Sequence, residues 1–402
     1  MEIKREIYLS KMRGFYDSDL IKILVGIRRC GKSIILNQII DELKEKGVDN
    51  DHIISMNFEE YENVEYINNP KKFHQYIKDK IKDQKIYYLF FDEIQNVNDF
   101  ERVINSFRAS LKNVSIFITG SNSKLLAREL STVLSGRYVS FRIHPLSYKE
   151  YILLTGKEPN NTESFNDFFK WGSLPQRVQF NNEMEIRNYL QNVFDSIIMR
   201  DVIGRLNIKD THLFNLIVQY IVETTGREFS ATNIVNYLKA NSKIASTRTL
   251  YKYLDALCNA LLINKVYRSN IEGKGVLKTL NKYYMTDLGI AQIKNNNHEI
   301  NNSFAIENIV YNELLIREYK VYIGKTKKGE VDFVAKKDGK TKYIQVATFL
   351  SNDEKVIERE FGAFDAIDDV YPRYVITQDR DNYSRKGIIH KNIIDFLMEE
   401  DF

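Results

Sequence analysis

Residues 22–40 read KILVGIRRCGKSIILNQII, and within them Gly26-Ile27-Arg28-Arg29-Cys30-Gly31-Lys32-Ser33 fits the pattern G-x-x-x-x-G-K-[ST] throughout. The apolar run Ile23-Leu24-Val25 predicts a buried strand ahead of the loop, and residues 33–43 repeat apolar side chains at helical spacing after it. Gly26 and Gly31, having no Cβ, permit a tight turn and a close approach of backbone to a polyphosphate. The loop amides then point inward as an anion nest at the positive end of the following helix. Lys32 brings a mobile charge for β- and γ-phosphates, and the Ser33 hydroxyl suits Mg²⁺. The expected binding set is Gly26, Ile27, Arg28, Arg29, Cys30, Gly31, Lys32, Ser33 and Ile34, with ATP and Mg²⁺ as its ligands. The bland alternative is a glycine turn that happens to contain Lys and Ser; the strand and helix on either side weigh against it. Arg28 and Arg29 are read as solvent-facing or ribose-side charges, and Cys30 as a small filler rather than a reactive thiol.

The rest of the composition sets bounds. A chain of 402 residues suggests two or three domains, and 43% hydrophobic with 28% charged residues is globular. A net charge of +4 is too small to argue for a nucleic-acid partner, so any basic surface must be local. Two cysteines exclude a disulfide framework and a Cys-rich zinc site. The charged opening MEIKREIYLSKM lacks the apolar core of a signal peptide. No segment approaches the roughly 20 apolar residues that span a bilayer. The expectation is a soluble protein in a reducing, cytoplasmic setting, with no membrane partner.

Along the chain, residues 1–20 read as a polar amphipathic lead-in that packs beside the nucleotide. Strands are expected at 52–58, 85–91 and 115–119, with helices at 71–82 and 99–111 between them. Mostly apolar strands alternating with helices describe a parallel sheet covered on both faces, with chemistry at the carboxyl ends of its strands. There Asp92 is placed to hold Mg²⁺, and Glu93 to polarise an attacking water. A solvated strand end is the alternative for this pair. Ser121 and Asn122, in the Gly120-Ser121-Asn122-Ser123 end of the next strand, are candidates to sense the γ-phosphate or orient water; an ordinary polar turn explains them equally well. Arg137, in Leu134-Ser135-Gly136-Arg137-Tyr138, is a candidate to stabilise transition-state charge, in cis or from a neighbouring subunit, against a plain surface arginine. The catalytic set is therefore Glu93, Arg137, Asn122 and Ser121, and the metal set Ser33 and Asp92.

From residue 145 to 206 the pattern turns helical, opened by a capping-box arrangement in Ser147-Tyr148-Lys149-Glu150. A helical lid is the natural assignment, with Arg177 a second possible phosphate contact. Residues 207–290 show three helices and two strands, the order of a winged-helix module. If that module meets DNA, Arg248 and Lys252 on its third helix are the candidates for the major groove. A protein–protein role, including a homo-oligomer, is the alternative. In the last block, Glu307, Glu330 and Asp332 fit the acidic places of a restriction-endonuclease-like site. Gln345 and Ala347 stand where such a site needs a carboxylate and a lysine. An amide is a poor Mg²⁺ ligand and alanine does no proton or charge work, so cleavage is not expected.

Taken together, the chain resembles a group of prokaryotic AAA-family ATPases that carry a C-terminal domain of unknown function with a nuclease-like fold. The likeness rests on GIRRCGKS, YLFFDEIQ, ITGSNSKLL, LSGRY, PLSYKEY and GSLP, and further on ENIVYNEL, GEVDFVA and YIQVA. It implies an α/β AAA-type P-loop core at 1–144, a helical lid at 145–206, a winged-helix module at 207–290 and a nuclease-inactive endonuclease-like domain at 291–402. It implies ATP binding and Mg²⁺-dependent hydrolysis, with nucleotide state coupled to a partner or DNA through the C-terminal modules. The rival expectation is an ATP-switched DNA-binding regulator with little turnover.

Overall fold

The computed structural model describes residues 2–122, 136–206, 208–241, 243–271, 273, 275–294, 302–327, 329–350 and 353–402. Of the features expected from sequence, residues 123–126 and 134–135 lie outside them. The chain divides into two compact units: residues 1–145 with 259–261, and 146–258 with 262–402.

In the first unit, the described strands are β1 (Ile21–Val25), β2 (Ile53–Asn57), β3 (Tyr87–Asp92), β4 (Val114–Gly120) and β5 (Tyr138–Arg142). They pair in parallel in the order β2-β3-β4-β1-β5, so β1 lies between β4 and β5. The longer helices are α1 (Glu6–Met12), α2 (Lys32–Glu45), α3 (Pro70–Lys80) and α4 (Phe100–Ser110), with one turn of helix at Val64–Ile67. Successive residues of a strand point to opposite faces, and β3 shows why its run is continuously apolar. Phe91 packs with Phe73 and Phe58 on one face, ring centroids 5.1 and 6.3 Å away. Phe90 stacks on Phe117 at 4.7 Å. Both faces are core.

The lead-in is held by α2. Gln38 donates to the Ile3 carbonyl at 2.7 Å and accepts from the Arg5 amide at 3.0 Å. Glu42 accepts from Arg13 and from the Tyr16 hydroxyl, and pairs with Lys4 at 2.8 Å. Arg13, with Lys4 and Tyr16, holds the Glu42 carboxyl down to about 2 against the cost of burying it.

The second unit opens with α5 (Tyr148–Thr155), whose capping box is formed: Ser147 Oγ accepts the Glu150 amide at 3.1 Å, and Glu150 accepts the Ser147 amide at 3.0 Å. Next come α6 (Thr162–Trp171) and α7 (Glu183–Ser196). Within the stretch expected to be helical, α7 is α only to Ser196; Ile197–Ile203 winds as a π-helix. The next elements are α8 (Thr211–Glu223), α9 (Ala231–Ala240), α10 (Thr247–Asn259), β6 (Ile263–Asn270) and β7 (Gly275–Met285). Then follow α11 (Leu288–Lys294), α12 (Asn302–Ile316), β8 (Lys320–Lys325), β9 (Glu330–Lys337) and β10 (Lys340–Val346). The sheet runs β12-β11-β10-β9-β8-β6-β7, closed by β11 (Arg373–Thr377) and β12 (Ile388–Asn392). Thus the hairpin β6–β7, expected as a wing, lies in the same sheet as β8–β12, joined where Arg268, Ser269 and Asn270 pair with Ile323, Gly324 and Lys325.

Candidate active site

The phosphate loop leaves the carboxyl end of β1. Gly26 donates to the Gly120 carbonyl at 3.4 Å, and Ile143 donates to the Val25 carbonyl at 2.7 Å. A Cβ on Gly26 would sit 2.3 Å from the Ile143 carbonyl oxygen and 2.5 Å from Cys30 Sγ, so only glycine fits. Arg29 and Gly31 take left-handed φ values of 68° and 99°, and α2 begins at Lys32. Ile27 and Cys30 are buried. Burial pushes the Cys30 thiol up, so it is a protonated filler and not a nucleophile. Ser33, Ile34 and Arg29 are exposed; Arg28 pairs with Glu59.

Arg5, which sequence reading passed over, is a buried arginine that braces this loop. Its guanidinium donates to the Cys30 carbonyl and the His144 carbonyl, each at 3.1 Å. In a trans peptide the N–H opposes the C=O, so a Cys30 carbonyl held outward turns the Gly31 amide inward.

The acidic side of the site comes from β3 and β4. Thr119 Oγ1 donates to Asp92 and accepts the Glu93 amide at 2.9 Å. Glu93 itself has φ 51°, a left-handed conformation that costs a non-glycine residue about 1–2 kcal/mol. Its carboxylate lies 3.3 Å from Lys32 Nζ, which also donates to the Gly26 and Ile27 carbonyls at 3.2 and 3.4 Å. Burial pushes the Glu93 carboxyl up, but Lys32, Gln95 and Arg28 together hold it below its ordinary range. Burial works against the Lys32 charge as well, and Glu93 more than restores it. Both groups are charged. Gln95 donates its amide to Glu93 and reaches Ser121 Oγ at 3.5 Å. Ser121 and Asn122 are buried at the end of β4.

The structure therefore brings Lys32, Asp92, Glu93 and Ser121 together at one end of the sheet. It does not bring Arg137 there. The Arg137 carbonyl accepts from the Ile21 amide, at the amino end of β1 and β5. The loop begins five residues further on, about 16 Å away at about 3.3 Å per residue. That distance exceeds the reach of an arginine side chain, which corrects the cis alternative. Arg177 is corrected too. It is 2% exposed, and its donors are spent on Asp167 and the Gly172 carbonyl.

Among the described residues no group of three or more His, Cys, Asp or Glu is arranged to hold a metal ion. Mg²⁺ with a nucleotide needs fewer protein ligands, since phosphates and water fill most of its shell. The exposed Ser33 hydroxyl and the Asp92 carboxylate, oriented by Thr119, fit that smaller demand.

The acids of the second unit serve a different purpose. Lys282 Nζ sits 3.0 Å from Glu307 and 2.8 Å from Glu330, and Arg268 pairs with the other Glu330 oxygen. Tyr284 donates to Glu307. Asp332 accepts the Val346 amide at 2.8 Å, and Gln345 accepts the Asp332 amide while donating to Glu360 at 2.9 Å. A protein cation stands among these carboxylates.

The fold and this loop define the class: an α/β protein with the parallel sheet of AAA-type P-loop proteins. Residues 18–152 match a family model described as an AAA domain, and residues 162–299 match a domain of unknown function, DUF8612. An uncharacterized protein of Haemophilus influenzae is 37% identical over 86% of this chain and 86% of its own length. One from Methanocaldococcus jannaschii is 29% identical over 86% of this chain and 78% of its own. The chain belongs to this family of prokaryotic proteins, in which an AAA domain is followed by a domain of unknown function. The Aeropyrum pernix ORC1 protein, solved in complex with DNA, is 12% identical over 74% of this chain and 93% of its own, with a TM-score of 0.35. A likeness that slight carries neither partner nor activity across. No helix of the described residues is long and apolar enough to cross a membrane.

Proposed function

We propose that the chain binds Mg·ATP at Gly26–Ser33 and hydrolyses it. The observation that carries the reading is the buried Lys32–Glu93 pair at 3.3 Å, set at the mouth of a loop whose first residue has no room for a Cβ. Lys32 exchanges the Gly26 and Ile27 carbonyls and Glu93 for the β- and γ-phosphates. That exchange frees a Glu93 oxygen to accept a proton. A water oxygen then bonds to the γ-phosphorus as the bond to the β–γ bridging oxygen breaks. The electron pair leaves with ADP, and the water's proton passes to Glu93. Ser33 and Asp92 would hold Mg²⁺, which supplies positive charge against the phosphate oxygens. Ser121 and Asn122 close the γ-phosphate side. Arg137 serves a neighbouring copy's nucleotide, since its own is out of reach.

Lys32→Ala removes a charge-assisted contact worth about 1.5–3 kcal/mol, or about 10- to 100-fold in affinity. Equilibrium binding of a labelled ATP analogue should show that loss; unchanged binding would mean the phosphates sit elsewhere. Mixing Lys32→Ala with Arg137→Ala protein should restore turnover that neither has alone, and no recovery removes the in-trans role.

For the remainder we assign residues 145–206 to a lid, 207–290 to a winged-helix module and 291–402 to an endonuclease-like domain without nuclease chemistry, through which nucleotide state reaches a partner. The order of helices and hairpin in 211–285 supports the second assignment, and Lys282 among the acids, with Gln345, supports the last. A second reading, DNA contact through α10, has a narrower footing. Arg248 and Lys252 are exposed there, but Asp255 is exposed on the same helix and takes back one of the two charges. Phosphate contacts impose a salt slope, so an affinity for duplex DNA that is flat across salt would remove this reading.

A further inference from the structure

We propose that Gln95 positions the attacking water, its amide nitrogen holding the Glu93 carboxylate and its carbonyl oxygen taking one of the water's two hydrogens. The inference rests on the ATPase reading above and assigns that reaction one more residue. Glu93 faces the Lys32 ammonium, and a carboxylate accepts hydrogen bonds without donating them. The Gln95 group turned toward Glu93 must therefore be its NH₂, which fixes an otherwise ambiguous amide. The same NH₂ reaches toward Ser121 at 3.5 Å, so both hydrogens point to the two strand ends that flank the γ-phosphate position.

That orientation leaves Gln95 Oε1 on the remaining side. It is buried and receives no hydrogen bond from the protein. Buried acceptors are nearly always satisfied, and an orphaned one beside a charged base calls for a ligand that donates. Water is such a ligand. With Lys32 drawn to phosphate, the water finds two acceptors: the freed Glu93 oxygen and Gln95 Oε1. Two fixed acceptors leave the oxygen lone pair pointing away from both. The proton on the Glu93 side transfers as the oxygen bonds to phosphorus and the bridging bond breaks toward ADP. The hydrogen on Gln95 stays with the oxygen. Gln95 sits in Asp92-Glu93-Ile94-Gln95, and the short 3₁₀ turn Ile94–Asn96 with the left-handed Glu93 folds it back over its neighbour.

The test is steady-state hydrolysis by Gln95→Met, nearly equal in volume and unable to make either contact. We expect kcat to fall about 10- to 100-fold. KM, the affinity for a non-hydrolysable ATP analogue and the melting temperature should stay at wild-type values. A merely structural role would raise KM and lower the melting temperature together, and that pattern overturns the proposal. So does a wild-type kcat. If Gln95→Met melts well below wild type, Gln95→Asn takes its place, its shorter stem unable to span Glu93 and Ser121, with the same split expected. A wild-type protein that binds the analogue yet hydrolyses nothing overturns the ATPase reading and this one with it; hydrolysis that ignores residue 95 overturns this one alone.

Discussion

Replacing Lys282 with methionine is expected to destabilise the second unit by about 3–5 kcal/mol, because it strands buried carboxylates without their cation. Lys282 and Glu307 are 8% and 7% exposed at their side chains, and Lys282 is within 3.0 Å of two acids. Burial pushes Glu307 and Asp332 up; Glu330, partly exposed, is held down by Lys282 and Arg268 against its own desolvation. Burial opposes the Lys282 charge too, yet Glu307, Asp332 and Glu330 raise its pKa well above the ordinary lysine value. Two cations thus face three acids, Lys282 touching Glu307 and Glu330 and Arg268 touching Glu330. Without Lys282, the folded pKa of Glu307, already raised by burial, climbs further, and Glu330 loses the larger of the two charges that hold it down. A carboxyl raised on folding supports the fold below its unfolded pKa and withdraws that support as pH climbs through the folded value. The deficit should therefore widen between about pH 5 and about pH 8. Chemical denaturation at the two pH values reads both effects, and adding Glu307→Gln to the variant should recover part of the loss. A deficit under about 1 kcal/mol, or one flat with pH, would show that the cluster is not held by this lysine.

That cluster also shows where sequence reading ran short. Glu307, Glu330 and Asp332 were recognisable, and Gln345 told against cleavage. The cation among them was not recognisable, because Lys282 and Arg268 lie in β6 and β7, which read as a wing of a separate module. Only the pairing of β6 with β8 makes them neighbours. The first unit was far more legible, because a phosphate loop needs its residues contiguous and its strands apolar throughout. The helices expected at 71–82 and 99–111 appear as Pro70–Lys80 and Phe100–Ser110. Thr119, Gln95 and Arg5 escaped notice for the opposite reason. Thr119 acts on Asp92 and Arg5 on Cys30, each from another element, and Gln95 joins Glu93 to Ser121 across two strand ends. No local pattern marks such a pair. The elements after residue 350, Glu354–Gly362, Arg373–Thr377, Ile388–Asn392 and Ile393–Met398, are too short for periodicity to mark them.

Glu93→Gln is expected to cut kcat by about 10²–10⁴-fold, the range typical for loss of a positioned general base, with nucleotide still bound. The amide is the same size as the carboxylate and accepts a hydrogen bond from water, but it cannot take the proton. Its effect on binding separates this role from a structural one. In the unliganded chain the Glu93 carboxylate competes for Lys32 at 3.3 Å, and a neutral glutamine competes less. Lys32 keeps the Gly26 and Ile27 carbonyls, at 3.2 and 3.4 Å, so its position survives the change. ATP affinity should therefore match or exceed that of the wild type while turnover collapses, a split that a damaged loop would not give. Single-turnover hydrolysis alongside equilibrium binding resolves it. A glutamine variant that turns over at more than a tenth of the wild-type rate would assign the proton to another base. Among the neighbours described here, neither Asp92, tied to Thr119, nor Ser121 is disposed to be that base, so such a result would move the chemistry away from this end of the sheet.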